Sequence, residues 1–238
     1  MNPFVYTDIF DTKGIEYIVV ILFLLLLIPF WSMLNRPLKS RARLKEATAA
    51  LTAGILRIPQ GLFFSRNHTW SRLEPSGLAR VGMDDLLLHL TGGVEVSFLQ
   101  KEGTQVRKGD ALIRIIQDGK ELALTSPVTG EVTLVNESLG DDPEAIMEDP
   151  YGSWLCMIRP EDWQGETADC YLAGRASNWM KEELVRFKDF LSGALSGSEF
   201  RASPVVLQEG GELTDFPLSW LGKEVWDLFQ EKFLENNT

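Results

Sequence analysis

Hydrophobic and polar positions divide the chain into three regimes. From Tyr17 to Leu34 there is no charged residue, and the run YIVVILFLLLLIPFWSML is apolar almost throughout. At about 1.5 Å rise per residue it extends roughly 27 Å, just enough to cross a hydrocarbon core. Pro29, near its end, is tolerated in a membrane helix, and Tyr17 and Trp31 stand where interfacial aromatics belong. Residues 38–58, rich in Ala, Leu, Lys and Arg, predict a connector helix closed by Pro59 and Gly61. From Gly61 onward the pattern changes to short alternating runs. Turn signals separate them at Glu74-Pro75-Ser76-Gly77, Gly92-Gly93, Lys108-Gly109-Asp110, Asp118-Gly119 and Thr129-Gly130. Many short strands with evenly spaced turns predict a small β-sandwich or barrel. After Trp163 helical spacing returns, over Trp179–Leu191 and again over Leu218–Leu234, with a loop or linker expected over Ser192–Pro217.

Charge refines the picture of the first regime. The residues ahead of the apolar run are mostly acidic (Asp8, Asp11 and Glu16 against Lys13), and bulky Trp31, Met33 and Leu34 close it, which is unlike a cleaved leader. Arg36, Lys39, Arg41, Arg43 and Lys45 follow at once. By the positive-inside rule this flank is cytoplasmic, the N-terminus faces outward, and the rest of the chain lies in the cytoplasm. The same basic flank suits anionic headgroups. The expected organisation is an outward N-terminus (1–16), a transmembrane helix (17–35) and a basic helical connector (36–60). A folded domain (61–192) and a linker with a C-terminal amphipathic helix (193–238) complete it.

The body is acidic. Of a formal net charge of −11, residues 46–238 contribute −14, from 17 basic and 31 acidic side chains. A surface of that sign does not release counterions from nucleic acid, so no nucleic-acid partner is expected. Cys156 and Cys170 make neither a disulfide framework nor a metal quartet and read as buried reduced thiols. His68 and His89 alone are a poor ligand set, and the acidic stretch Gly140–Glu144 reads as a solvated surface loop, so no metal is expected. Ser126 has no positioned base, and neither a phosphate loop nor a nucleophile elbow is present. Nothing in the chain argues for catalysis.

Within the body two half-patterns repeat. Glu102–Asp110 (EGTQVRKGD) leads into ALIRII, and Ser126–Val132 (SPVTGEV) leads into TLVNESL, with the turn Asp118-Gly119-Lys120 between them. Together with Asn67-His68-Thr69-Trp70, Val81–Leu86 (VGMDDL), Thr91-Gly92 and Glu148–Gly152 (EDPYG), these segments resemble, in order, the glycine cleavage system H protein of the lipoyl and biotinyl carrier superfamily. The resemblance covers about residues 61–192. It implies a mostly β fold with flanking helices, a lipoyl-domain-like barrel-sandwich hybrid, here preceded by one N-terminal transmembrane helix.

The resemblance also implies where a cofactor would sit. In that family lipoate is carried on a hairpin lysine eight residues before the proline of the SPV turn. Counting back from Pro127 reaches Gly119, and Lys120 is one position late. The family's Glu-Ser-Val-Lys-Ala is replaced by Gln117-Asp118-Gly119-Lys120-Glu121. In a hairpin a shift of one residue turns a side chain to the other face or off the tip. The expectation is an unmodified structural turn with no cofactor; lipoate on Lys120 is the alternative.

These features point to a non-catalytic accessory subunit. A degenerate carrier fold would be tethered to the bilayer and docked on an integral membrane complex of respiratory or other redox type. Trp220, Trp226, Phe229 and Phe233 of the C-terminal helix are expected either to face that partner or to pack on their own domain. One alternative is a membrane-tethered lipoylated carrier using Lys120. Another is an efflux-type adaptor, against which stand the positive-inside flank and the lack of long heptad runs.

Overall fold

The computed structural model describes residues 9–34, 51–195 and 213–235. The chain divides into two units, residues 1–46 and 47–238. In the first, helix α1 (Ile9–Leu34) contains Pro29, and its side chains from Tyr17 to Phe30 are all exposed and almost all apolar. The fully described stretch 17–30 rises only about 21 Å at 1.5 Å per residue. Among the described residues no helix is long and apolar enough to cross a membrane.

The second unit is built on two antiparallel sheets. The larger has the order β1-β2-β3-β9-β8-β5, formed by Phe63–Phe64, Thr69–Leu73, Ala79–Met83, Cys156–Pro160, Gly130–Val135 and Gln105–Val106. The smaller is β4-β6-β7, formed by Glu95–Phe98, Ala111–Gln117 and Lys120–Thr125. Helix α2 (Asp85–Thr91) links β3 to β4. Two single turns, α3 (Ser138–Asp141) and α4 (Ala145–Glu148), bridge β8 to β9. Helices α5 (Trp163–Thr167) and α6 (Gly174–Leu195) follow β9.

Alternation decides which side chains meet between the sheets, because successive residues of a strand point to opposite faces. Val81, Val132 and Ile158 of the larger sheet share one core with Ile113, Ile115, Leu122 and Leu124 of the smaller. The two half-patterns meet back to back: Gly109 donates to the Ser126 carbonyl and Ser126 N–H to the Asp110 carbonyl, each at 2.8 Å. Trp70 closes one end of the core, its indole N–H donating to the Pro150 carbonyl at 3.2 Å. Its ring lies flat over Gly82, where a Cβ would stand 2.4 Å from ring carbons.

The helical expectations divide. Residues 38–50 of the expected connector lie outside the described residues, and 51–58 are not helical. There the backbone is engaged elsewhere: Leu51 N–H donates to the Leu213 carbonyl at 2.7 Å, and Arg57 N–H to the Asp85 carboxylate at 2.7 Å. The expected Trp179–Leu191 helix lies within α6, which extends past Ser192, where a loop was expected. The expected continuous helix over Leu218–Leu234 is instead a 3₁₀ turn (Pro217–Trp220), helix α7 (Lys223–Phe229) and a π turn (Gln230–Glu235). The interruption has a cause. The Leu218 carbonyl accepts from the Trp226 indole N–H at 2.8 Å, and the Leu218, Ser219 and Leu221 carbonyls accept from a lysine. Of the four aromatic residues, Trp226, Phe229 and Phe233 pack on their own domain, against Phe187 and Phe190 of α6 in the case of the two phenylalanines. Trp220 alone is exposed, at 53%.

Gly82→Ala is expected to destabilise the full-length chain by about 1–3 kcal/mol, because the Trp70 ring must shift to admit the methyl group. Urea unfolding followed by tryptophan fluorescence checks this, with Gly140→Ala, where a Cβ meets only open space and φ is not left-handed, as the control for glycine replacement at an unpacked position.

Candidate functional site

The β6–β7 hairpin turns at Asp118 and Gly119, both with positive φ (49° and 76°). Two left-handed residues in succession are what a tight two-residue hairpin turn requires, and Asp-Gly supplies them readily. Gly119 occupies the tip, with nothing within 4 Å of where a Cβ would be. The position at which the resemblance puts the cofactor therefore has no side chain at all.

Lys120 does not share that freedom. It is the first residue of β7, paired with Gln117 across the hairpin, and alternation puts it on the same inward face as Leu122 and Leu124. It is 8% exposed. Its Nζ donates to the carbonyls of Ser219 at 2.9 Å, Leu221 at 3.3 Å and Leu218 at 3.5 Å, and lies 4.9 Å from the centre of the Trp226 ring. Burial pulls its pKa below the ordinary ammonium range, offset in part by Asp118. An ammonium has three N–H bonds, and three acceptors converge on this one. Acylation would remove the charge and two of those donors. The setting of Lys120 does not fit a lipoyl attachment point.

The hairpin is fastened on both sides. Gln117 Nε2 donates to the Thr91 and Gly93 carbonyls, each at 2.9 Å. Strand β7 is an edge of its sheet, and the amide of Gln230 pairs with it: Ala123 N–H donates to Gln230 Oε1 at 2.8 Å, and Gln230 Nε2 donates to the Ala123 carbonyl at 3.2 Å. At Ala123 a side-chain amide takes the place of a further strand and blocks pairing with another chain at that residue. Arg186 on α6 donates to the Lys232 carbonyl and stands 4.2 Å over the Phe233 ring, completing the attachment of residues 213–235.

The other residues singled out in the sequence have structural partners. His68 is fully buried, its Nδ1 2.8 Å from Asp84 Oδ2 and its ring stacked on Trp179. Burial by itself would lower the His68 pKa; Asp84, with Glu183 beyond it, outweighs burial and holds it above the ordinary imidazole range. Asp84 also caps α2, accepting from Leu87 N–H at 2.8 Å. His89 pairs with Asp215 instead, so the two histidines serve different contacts. Among the described residues no group of three or more His, Cys, Asp or Glu is arranged to hold a metal ion. Ser126 is buried and donates to the Val128 carbonyl at 2.6 Å. Both cysteines are buried and free, and burial pushes the Cys156 thiol up to about 12. The residues that sequence reasoning missed are the carbonyls of Leu218, Ser219 and Leu221 and the amide of Gln230. No side-chain motif announces a carbonyl.

Comparison with known proteins bears on this hairpin. The profile of the "Glycine cleavage H-protein" family matches residues 62–183. A probable glycine cleavage system H protein of Pyrococcus horikoshii is 31% identical over 131 residues, which is 55% of this chain and 98% of that protein. The glycine cleavage system H protein of Methylococcus capsulatus is 35% identical over 106 residues, 44% of this chain and 83% of that one. The crystal structure of a glycine cleavage system H protein from Mycobacterium marinum aligns at 28% identity with a TM-score of 0.40, covering 44% of this chain and 87% of that one. Residues 213–235, which cover Lys120, lie outside the matched span.

Two outcomes follow from these contacts. Lys120→Ala leaves three carbonyls without their shared donor and is expected to lower stability by about 1–3 kcal/mol in urea unfolding. For His68, a pKa raised on folding stabilises fully below its unfolded value and loses that contribution as pH rises through the folded value. Asp84→Asn is therefore expected to cost up to about 3–5 kcal/mol near pH 6, and less at a pH above the raised folded value, where the imidazole is neutral in both states. A loss of equal size at both pH values in thermal unfolding would contradict the charged pair.

Proposed function

The chain belongs to the glycine cleavage H-protein family, and from that premise we propose that it is a membrane-anchored accessory subunit that has kept the carrier fold without using it to carry lipoate. H proteins are non-catalytic carriers, and no catalytic step is assigned to this chain. The observation that carries the proposal is the pairing of Gly119 at the hairpin tip with Lys120 beneath it, its ammonium shared among the Leu218, Ser219 and Leu221 carbonyls.

The anchor is proposed to be residues 17–35. Supporting it are the uncharged run from Tyr17 to Leu34 and the outward display of apolar side chains around α1. A helix that is apolar all round belongs in a protein core or a bilayer. The basic cluster from Arg36 to Lys45 supports an outward N-terminus and a cytoplasmic domain. The proposed partner is an integral membrane complex of redox type at the cytoplasmic membrane. The domain's net negative charge suits a basic surface on that partner. Three of the four C-terminal aromatics pack on their own domain, one of the two placements the sequence left open, so the proposed docking does not rest on them.

A second reading is favoured by family membership itself: a tethered carrier lipoylated on Lys120. It requires residues 213–235 to leave the hairpin so that a ligase reaches the amine.

Intact mass measurement of the chain purified gently from its native membranes separates the two. An unmodified chain bound stoichiometrically to membrane redox subunits is expected, with the assembly surviving Lys120→Ala. A lipoyl-sized increment on Lys120, with host activity lost in Lys120→Ala while assembly persists, would establish the carrier instead. Gly119→Lys, which sets an amine at the open tip, is expected to become a better substrate for a lipoate ligase in vitro than the wild-type chain. The left-handed backbone there costs a lysine about 1–2 kcal/mol, which the fold should tolerate.

A further inference from the structure

Residues 213–235 cover the hairpin and are fastened at two charged points. One is Lys120. The other is His89, in the last turn of α2. Its Nδ1 lies 2.8 Å from Asp215 Oδ1 on the covering segment, and its Nε2 lies 3.6 Å from Asp85 Oδ2 one turn earlier on its own helix. The Phe216 ring stacks on the imidazole at an interplanar angle of 7°, and Phe216 N–H donates to the His89 carbonyl at 2.8 Å. Among the described residues the other charged groups here are Arg57, whose backbone N–H and guanidinium both face Asp85, and Asp84 beside Asp85. The carboxylates of Asp85 and Asp215 are both buried. One imidazolium thus stands between carboxylates from two different elements, and one of those elements is the cover.

We propose that His89 is a pH-sensitive clasp that holds the C-terminal cover, residues 213–235, over the β6–β7 hairpin. Protonated, His89 donates from both ring nitrogens, to Asp215 and toward Asp85. Neutral, it keeps one N–H, which the 2.8 Å contact favours on Nδ1 toward Asp215, and what both buried carboxylates lose is the positive charge between them. Arg57 faces Asp85 and not Asp215, so among the described contacts of Asp215 His89 supplies the positive charge, and the cover loses it when the imidazole is neutral. The sign follows from the surroundings. Burial by itself would lower the His89 pKa, but the Asp215 hydrogen bond and charge, with Asp85, hold it above the ordinary imidazole range despite Arg57. The clasp is therefore complete below the ordinary imidazole value, about 6.5, and is lost as pH rises through the raised value. Each pKa unit gained on closing changes the closed-to-open ratio about tenfold. The larger sheet makes none of these contacts, so the loosening is confined to the cover and to β7, which Gln230 and Lys120 fasten to it, and frees the face on which Lys120 lies.

Hydrogen exchange on the full-length chain tests the clasp. Protection of the amides of Trp226–Phe233, corrected for intrinsic exchange, is compared at about pH 6 and about pH 8.5. Protection of the cover is expected to fall about tenfold at the higher pH, with β8 and β9 unchanged. Asp215→Asn is expected to lower protection at pH 6 and flatten the dependence, and His89→Gln to abolish it. Equal wild-type protection at both pH values, or the full wild-type dependence in both variants, overturns the proposal. Should a variant also lose protection in β8 and β9, the wild-type comparison decides.

Discussion

An ammonium removed from water must find acceptors, and that requirement organises the half of the domain that matters for function. Strand alternation puts Lys120 on the inward face of β7 with Leu122 and Leu124, where a charge is not tolerated without partners. The partners are main-chain carbonyls of the C-terminal segment, at the 3₁₀ turn and the break in helix that follows it before Lys223. Lysine and segment are thus mutually dependent. Without the segment Lys120 would be exposed at the hairpin, and without the lysine the turn over Pro217–Leu221 would carry carbonyls with no donor.

The same segment settles the edge of the smaller sheet. An unpaired edge strand invites another chain, and β7 is such an edge. Gln230 meets one backbone N–H and one carbonyl of Ala123, while Phe229 and Phe233 anchor the helix on α6. The hairpin that displays a cofactor lysine in a carrier here has an exposed Asp-Gly tip with its lysine buried beneath the C-terminal segment. A carrier needs a mobile arm at an exposed tip, and Gly119 in open space with Lys120 fastened below it supplies no such arm in this arrangement.

Much of the domain was legible along the chain. The alternating runs become β2, β3, β6, β7 and β8, and Asp118-Gly119 forms the tight turn that its composition indicated. The one-residue displacement of Lys120 also had the structural consequence that strand periodicity implies, since the side chain left the tip for a face. Less legible were segments whose backbone groups bond outside their own element. Residues 51–58 have helical composition, yet Arg57 N–H is committed to Asp85 and Leu51 N–H to Leu213, so tertiary bonds displace the helix there. Leu218–Leu234 has helical spacing, yet the carbonyls that would continue the helix turn to Lys120 and to the Trp226 indole.

Family, strand order along the chain and the absence of a side chain at the cofactor position were determined by the sequence by itself, because each depends on residue type at a fixed spacing. Only the tertiary structure decided which way the C-terminal aromatics face and what becomes of Lys120. Those outcomes depend on residues about a hundred positions apart meeting across the hairpin. The groups that decide them are main-chain carbonyls, which every residue has and which no pattern of side chains can mark.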